Sequence, residues 1–495
     1  MKQRHFLIIA LLLLPGMCLA HVGSPDVYFD GYAGPYHLLV TIRPPSVVPG
    51  VAQIQVRCVC NDISQVEILP LRLSGKGAQF SPTPDVAQRS SADPQVFNGN
   101  LWIMVRGGWK VQINAQGQQG KGQLAVPVSA VSFTSVGMKK TLGALLLVLG
   151  ICLVAGMVSI IGAANREAPL EPRQSPGPDQ KRRGRLGMAI TAALIALALF
   201  GGGKWWGAEA SIDAAKSYKI PHVESSLAGD VLQLHLENPN ARVQAAKSGS
   251  RWNDDEQIQL GDLVPDHGHL MHLFLARTPD MKSFWHLHPD QSGIGEFAAY
   301  LPSVPPGHYR VFADIVHATG FPETEIGEID LPAVSGKPLV ADDAGVADLS
   351  ASEKVSQLAD GYRMVWMRQD SASFKSKEPI LFRFRIEDKN GNPASGLENY
   401  MGMAGHAIFM RTDGQVFAHV HPAGSVSMTA TQLAQGGKPS AEMDMPAMHA
   451  GMTDASSEVT FPFGFSQPGE YRIFVQIKRA GHIETGSFIA RVEDN

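Results

Sequence analysis

Two stretches decide how this chain reads: FWHLHP at residues 284–289 and FAHVHP at residues 417–422. Each is a short apolar run carrying two histidines at i and i+2. In an extended strand such side chains point to the same face. Each run is also preceded by a further histidine. His272 lies 14 residues before His286, and His406 lies 13 residues before His419. Apolar runs of this length, bounded by Gly and Pro, predict strands rather than helices.

Working outward, the two stretches belong to an internal repeat. HLMHLFLARTPDMKSFWHLHP (269–289) matches MAGHAIFMRTDGQVFAHVHP (403–422), and PPGHYRVFADI (305–315) matches QPGEYRIFVQI (467–477). Residues 207–335 and 346–495 read as two copies of a β-sandwich unit. The boundary lies in the polar SGKPLVADDAG (335–345).

Turn chemistry then sets the register. In the second copy Asp413-Gly414 is a two-residue hairpin signal. It places Ile408 opposite His419 and His406 opposite His421. In the first copy a three-residue loop, 279–281, places Phe274 opposite His286 and His272 opposite His288. Opposed Cβ atoms lie about 4.5–5.5 Å apart. His272, His286 and His288 therefore form one three-histidine patch, and His406, His419 and His421 form another. The register survives unequal turn lengths. Both faces of these strands are apolar, which predicts central strands covered on both sides. Two explanations compete. Three neutral imidazoles suit copper or zinc. A buried, hydrogen-bonded histidine cluster would instead stabilise the sandwich. His267 and His269 fall in the loop before the first copy, near its rim, as auxiliary ligands or with no role in the site.

The N-terminal part reads differently. Residues 1–20 have a basic start, an apolar run and a small-residue exit, the pattern of a secretory signal peptide. Cleavage after Ala20 leaves His21 at the mature terminus, where its amine and imidazole chelate a single copper ion. Residues 21–135 alternate like the strands of a β-sandwich domain, with His37 as a second candidate ligand beside His21. Cys58 and Cys60 share one strand face and read as two surface thiols.

Residues 141–163 and 186–203 are uncharged apolar segments, the second followed by Lys204-Trp205-Trp206 as an interfacial anchor, and predict two transmembrane helices over 141–163 and 186–206. Between them, 164–185 is a basic loop with Arg166, Arg173, Lys181, Arg182, Arg183 and Arg185. The positive-inside rule puts that loop in the cytoplasm and the large domains on the periplasmic side of a bacterial inner membrane. No ionisable side chain lies in the core of either span, so they read as anchors rather than a transport path. The net charge of −4 gives no electrostatic case for nucleic acid.

One more segment carries chemistry. AEMDMPAMHAGM (441–452) supplies Met443, Met445, Met448, His449 and Met452 within a Gly/Ser/Ala-rich insertion. No helical or strand period is present, so core packing does not explain these methionines. Thioether sulfur is a soft ligand that selects Cu(I).

The insertion resembles the MDMPxMH-type segments of bacterial periplasmic copper-resistance proteins. The HxHP strands and PGxYRxF edges resemble YtkA-like and FixH-like β-sandwich domains, and the N-terminal histidine is similar to that of CopC-like copper carriers. These resemblances imply metal handling in the envelope. The expected chain is mainly β: three extracytoplasmic sandwiches, two of them a repeat, with two membrane helices. The expected function is copper sequestration or delivery, with zinc as the other candidate ion and an envelope protein as partner. A tandem-sandwich scaffold without metal and a zinc-dependent hydrolase are the alternatives.

Overall fold

The computed structural model describes all residues except 1–25, 60–61, 75–79, 134–137, 169, 172, 216, 241–259, 369–371 and 438–455. The segment read as a signal peptide, with His21, and the methionine-rich segment with Met443, Met445, Met448, His449 and Met452, lie outside the described residues. The chain is mainly β, built from several antiparallel sheets, and divides into two units. One contains 132–218; the other contains everything before and after it.

In the larger unit, the N-terminal part is a sandwich of a five-stranded and a four-stranded sheet. Strand Gly50–Cys58 pairs with Tyr36–Arg43 on one side and Val96–Ile103 on the other. Alternate residues (Ala52, Ile54, Val56) enter a core shared with Val66, Ile68, Val111 and Ile113 from the facing sheet. This alternation also carries Cys58 inward. It is 1% exposed and disulfide-bonded, so it is not the surface thiol its neighbourhood suggested. His37, half-exposed, faces Asp30 across the adjacent strand and stacks on Tyr32.

The first repeat is one nine-stranded sheet folded over its own core. Strand His272–Thr278 lies between Phe284–Leu287 and Gly307–Val316. Its odd-numbered residues, Leu273 and Leu275, enter that core. The second repeat has a four-stranded and a six-stranded sheet around Phe382, Phe384, Phe409, Phe461 and Phe488. There His406–Arg411 lies between Phe417–Val420 and Gly469–Arg479.

The even-numbered face of His272–Thr278 is covered by the other repeat. Phe274, Phe284 and Phe312 of the first repeat form one cluster with Ile408, Phe417 and Phe474 of the second. The contacts are reciprocal. Phe284 stacks on Phe474 with centroids 4.1 Å apart, and Phe417 stacks on Phe312 at 4.4 Å. Each hairpin phenylalanine thus meets the central-strand phenylalanine of the opposite repeat, as an approximate twofold axis requires.

The N-terminal sandwich also touches the second repeat. Asp30 donates its N–H to Ala423, and Ser425 donates its N–H to Tyr28. These bonds pin the loop that follows His421.

The second unit is a pair of helices, Lys140–Glu167 and Pro178–Ala215, both long and apolar enough to cross a membrane. They run past the expected spans at both ends. Lys181, Arg182, Arg183 and Arg185, read as loop residues, sit in the first turns of the second helix, which opens at Pro178. Residues 207–215 continue this helix instead of starting the first repeat. Lys and Arg are good helix formers, and Pro is well placed at a first helical position, so the backbone helix outlasts the apolar run. Gly162 lets the two helices meet: a Cβ there would lie 2.4 Å from Cγ of Met188.

Candidate metal centre

Both hairpins have the expected register. Phe274 pairs with His286 and Ile408 with His419. In the first repeat, ligand nitrogens of His272, His286 and His288 all lie within 4.8 Å of one another. In the second, the corresponding group is His267, His406 and His421. His419 remains beside it, its Nε2 3.1 Å from Nδ1 of His406. Within that 4.8 Å limit His267 stands where His419 was expected. His267 comes from the first repeat and, although partly exposed, reaches into the second repeat's group, with its Nε2 3.2 Å from Nε2 of His421.

The two groups adjoin. Ring centroids of His272 and His419 are 5.5 Å apart, and those of His286 and His419 are 5.7 Å apart. Because the two repeats dock through these faces, what looked like two separate patches is one continuous cluster of histidines at their junction.

The outward nitrogen of each imidazole faces an oxygen acceptor, and the partners of two of the three ring pairs occupy matching positions in the repeats. His272 donates from Nε2 to the Asp266 carbonyl at 3.0 Å, and His406 donates from Nε2 to the Tyr400 carbonyl at 3.3 Å. His286 donates from Nδ1 to Oε1 of Gln476 at 2.9 Å, while Nδ1 of His419 faces Oδ2 of Asp314 at 3.4 Å. His288 donates from Nδ1 to Oδ1 of Asp343 at 3.0 Å, and His421 from Nδ1 to the Val426 carbonyl at 3.0 Å. His267 donates from Nδ1 to the Met401 carbonyl at 3.0 Å.

A neutral imidazole has one N–H. Spending it on these acceptors leaves the inward nitrogen of each ring as a bare lone pair. Those lone pairs converge: Nδ1 of His272 with Nε2 of His286 at 3.0 Å, and the His406–His419 and His267–His421 pairs described above. Nε2 of His288 is buried with no hydrogen-bond partner. Protonation is an expensive remedy. Burial, with crowding by the other rings, holds His286, His288, His406 and His419 well below the ordinary histidine range. Burial likewise takes His272 to about 4 and His267 to about 3, and lowers His421. Outward N–H groups tied to carbonyl or carboxylate oxygens, with inward lone pairs converging, are how metal-ligating histidines are oriented.

Sequence reasoning placed His267 only at the rim of the first group, not in the second, and missed the orienting partners Asp314, Gln476 and Asp343. A signal for His267 exists. Aligned on the shared histidine, DHGHLMH (266–272) lies over YMGMAGH (400–406). Both begin with a tight turn: His267 and Gly268 have φ of 50° and 85°, and Met401 and Gly402 have φ of 48° and 77°. Both close with the same isolated bridge, Asp266 to His269 and Tyr400 to Met403. His267 and His269 therefore occupy the positions of Met401 and Met403. His269 stacks on His288 with centroids 3.9 Å apart.

Residues 356–494, within the second repeat, match a family model described as a domain of unknown function (DUF8832). No curated protein matches the chain. Among solved structures, a bacterial 1.5-MDa ice-binding adhesin is similar at 5% identity and a TM-score of 0.15, covering 90% of this chain and 92% of that one. A Salmonella alpha-2-macroglobulin mutant is similar at 12% identity and a TM-score of 0.20, with 97% of this chain covered but 24% of that one. Domains FN1–FN3 of chicken CNTN1 are similar at 9% identity and a TM-score of 0.13, covering 94% and 99%. Likeness at this level carries no argument about function.

Proposed function

We propose that this chain is a membrane-anchored, extracytoplasmic metal-binding protein that sequesters or delivers copper in envelope metal homeostasis, with zinc as the competing ion. The observation that supports this reading is the convergence of bare imidazole nitrogens at the junction of the repeats, each ring already oriented by an oxygen acceptor. Soft and borderline ions are what such nitrogens take. The sequence of the 441–452 insertion favours copper, because its thioethers suit Cu(I). The apolar helices would hold the sandwiches at the outer face of the membrane.

The test is elemental analysis of the full chain, purified in detergent and dialysed against weak chelator. Copper or zinc is expected to be retained, and to fall when His286 and His406 are both changed to Gln. A chain that retains neither metal above the level of that variant overturns the reading.

A second reading, a tandem-sandwich interaction module with structural histidines, is favoured by the reciprocal Phe284–Phe474 and Phe417–Phe312 stacks. They join the repeats without any metal. Metal-free protein with unchanged stability and fold would support it.

A further inference from the structure

We infer that the two histidine groups hold their ions as one dinuclear copper centre shared by both repeats, rather than as two independent sites. This rests on the metal-binding reading above and goes beyond it in stoichiometry and in coupling between the ions.

The groups interlock. His267 belongs to the first repeat by chain but to the second repeat's ligand set by position. Its ring centroid is 5.1 Å from that of His406 and 5.9 Å from that of His272. The ring of His272 is likewise 5.5 Å from that of His419, and the ring of His286 is 6.3 Å from that of His406. Neighbouring rings from different groups, at 5.5–6.3 Å, are therefore only slightly farther apart than rings within one group, at 4.5–5.3 Å. Each ion would sit about 2 Å from its nitrogens, so two ions in this cluster lie roughly 4–7 Å apart. At that separation they share the same low-dielectric surroundings.

The matched orienting bonds strengthen the case for two ions. A cluster built for one ion needs one set of fixed imidazoles. Here both repeats present the same nitrogen pattern inward: Nδ1 of His272 with Nε2 of His286 and His288, and Nδ1 of His406 with Nε2 of His419 and His421. Six rings are thus fixed in two equivalent sets, and His267 joins the second.

The test is electron paramagnetic resonance of the detergent-purified full chain loaded with copper(II) alone. The His286→Gln/His406→Gln double variant serves as the baseline for copper held elsewhere. Two ions above baseline are expected, with their isolated-spin signal largely lost through spin coupling. Changing His288 to Gln should remove one ion and restore one full isolated spin, and changing His421 to Gln should do the same. Circular dichroism checks that each variant folds, and His235→Gln, at an exposed histidine paired with Glu296 away from both sets, serves as a folded control. Two ions with two full isolated spins would overturn the inference while leaving the metal-binding reading intact. So would a single ion abolished equally by either variant. Copper no higher than baseline would overturn both.

Discussion

Nδ1 of His272 and Nε2 of His286 lie 3.0 Å apart, and each is the nitrogen left without a hydrogen once its ring has donated outward. Two lone pairs at that distance repel unless positive charge lies against both. A bound ion should therefore stabilise the folded chain. At a free-ion concentration a hundredfold above Kd the gain is about 2.7 kcal/mol. Calorimetry with copper or zinc, compared with chelator, should show a higher Tm; superimposable transitions would contradict the site.

Without metal, the same rings should make stability fall as the solution is acidified. Unfolded histidines titrate near 6.5, whereas His272 and His267 titrate at about 4 and about 3 when folded. Between those limits the unfolded chain binds protons that the folded chain refuses. Stability is full above 6.5 and is lost below it, by about 1.4 kcal/mol per pH unit for each such ring. Denaturant unfolding of the metal-free chain at pH 7, 6 and 5 measures the slope. Burial raises Asp314 to about 7, Asp343 to about 6 and Glu325 to about 9, and these carboxyls push the slope the opposite way. The ring contribution is therefore read as the difference from a His272→Gln/His267→Gln variant; no difference would show that the two rings are not held neutral.

The orienting partners should act locally. Asp314 faces His419, and Gln476 accepts from His286. Truncating such a partner typically costs about 10–100-fold in metal affinity. Asp314→Ala should weaken the second group and Gln476→Ala the first, as read by competition with a chelator in variants lacking the other group. Equal losses at both groups from either change would argue that the partners act only through overall stability.

The phenylalanine stacks should couple packing to the site. Phe284→Ala removes a ring stacked on Phe474 and should cost about 3–5 kcal/mol in urea unfolding. It should also weaken metal binding by the group containing His267 more than by the first group, since only that group draws ligands from both repeats. Loss of stability with no change in metal retention would separate the stack from the histidine cluster.

Much of this was legible in local sequence. The side-chain period of two and the Asp413-Gly414 turn together set which histidines face each other, and those are short-range properties. The docking of one repeat on the other was not legible. Phe274 and Ile408 announce a covered face but not what covers it, because nothing local distinguishes a neighbouring sheet from a second domain. The place of His267 in the second repeat's group was missed for a related reason. Its position depends on a left-handed turn and on a partner, His421, that lies far along the chain. The helix ends were missed because apolarity marks where a membrane could lie, not where backbone hydrogen bonding stops.

His267 and Met401 occupy equivalent turns, as do Asp314 and Gln476 equivalent strand positions facing His419 and His286. In a homodimer every substitution at such a site would appear twice, once on each side of the axis. Joining both halves in a single chain releases that constraint. One half can carry imidazole where the other carries thioether, and a carboxylate where the other carries an amide. The duplication thus lets side-chain chemistry and local charge be set separately on the two sides of one histidine cluster.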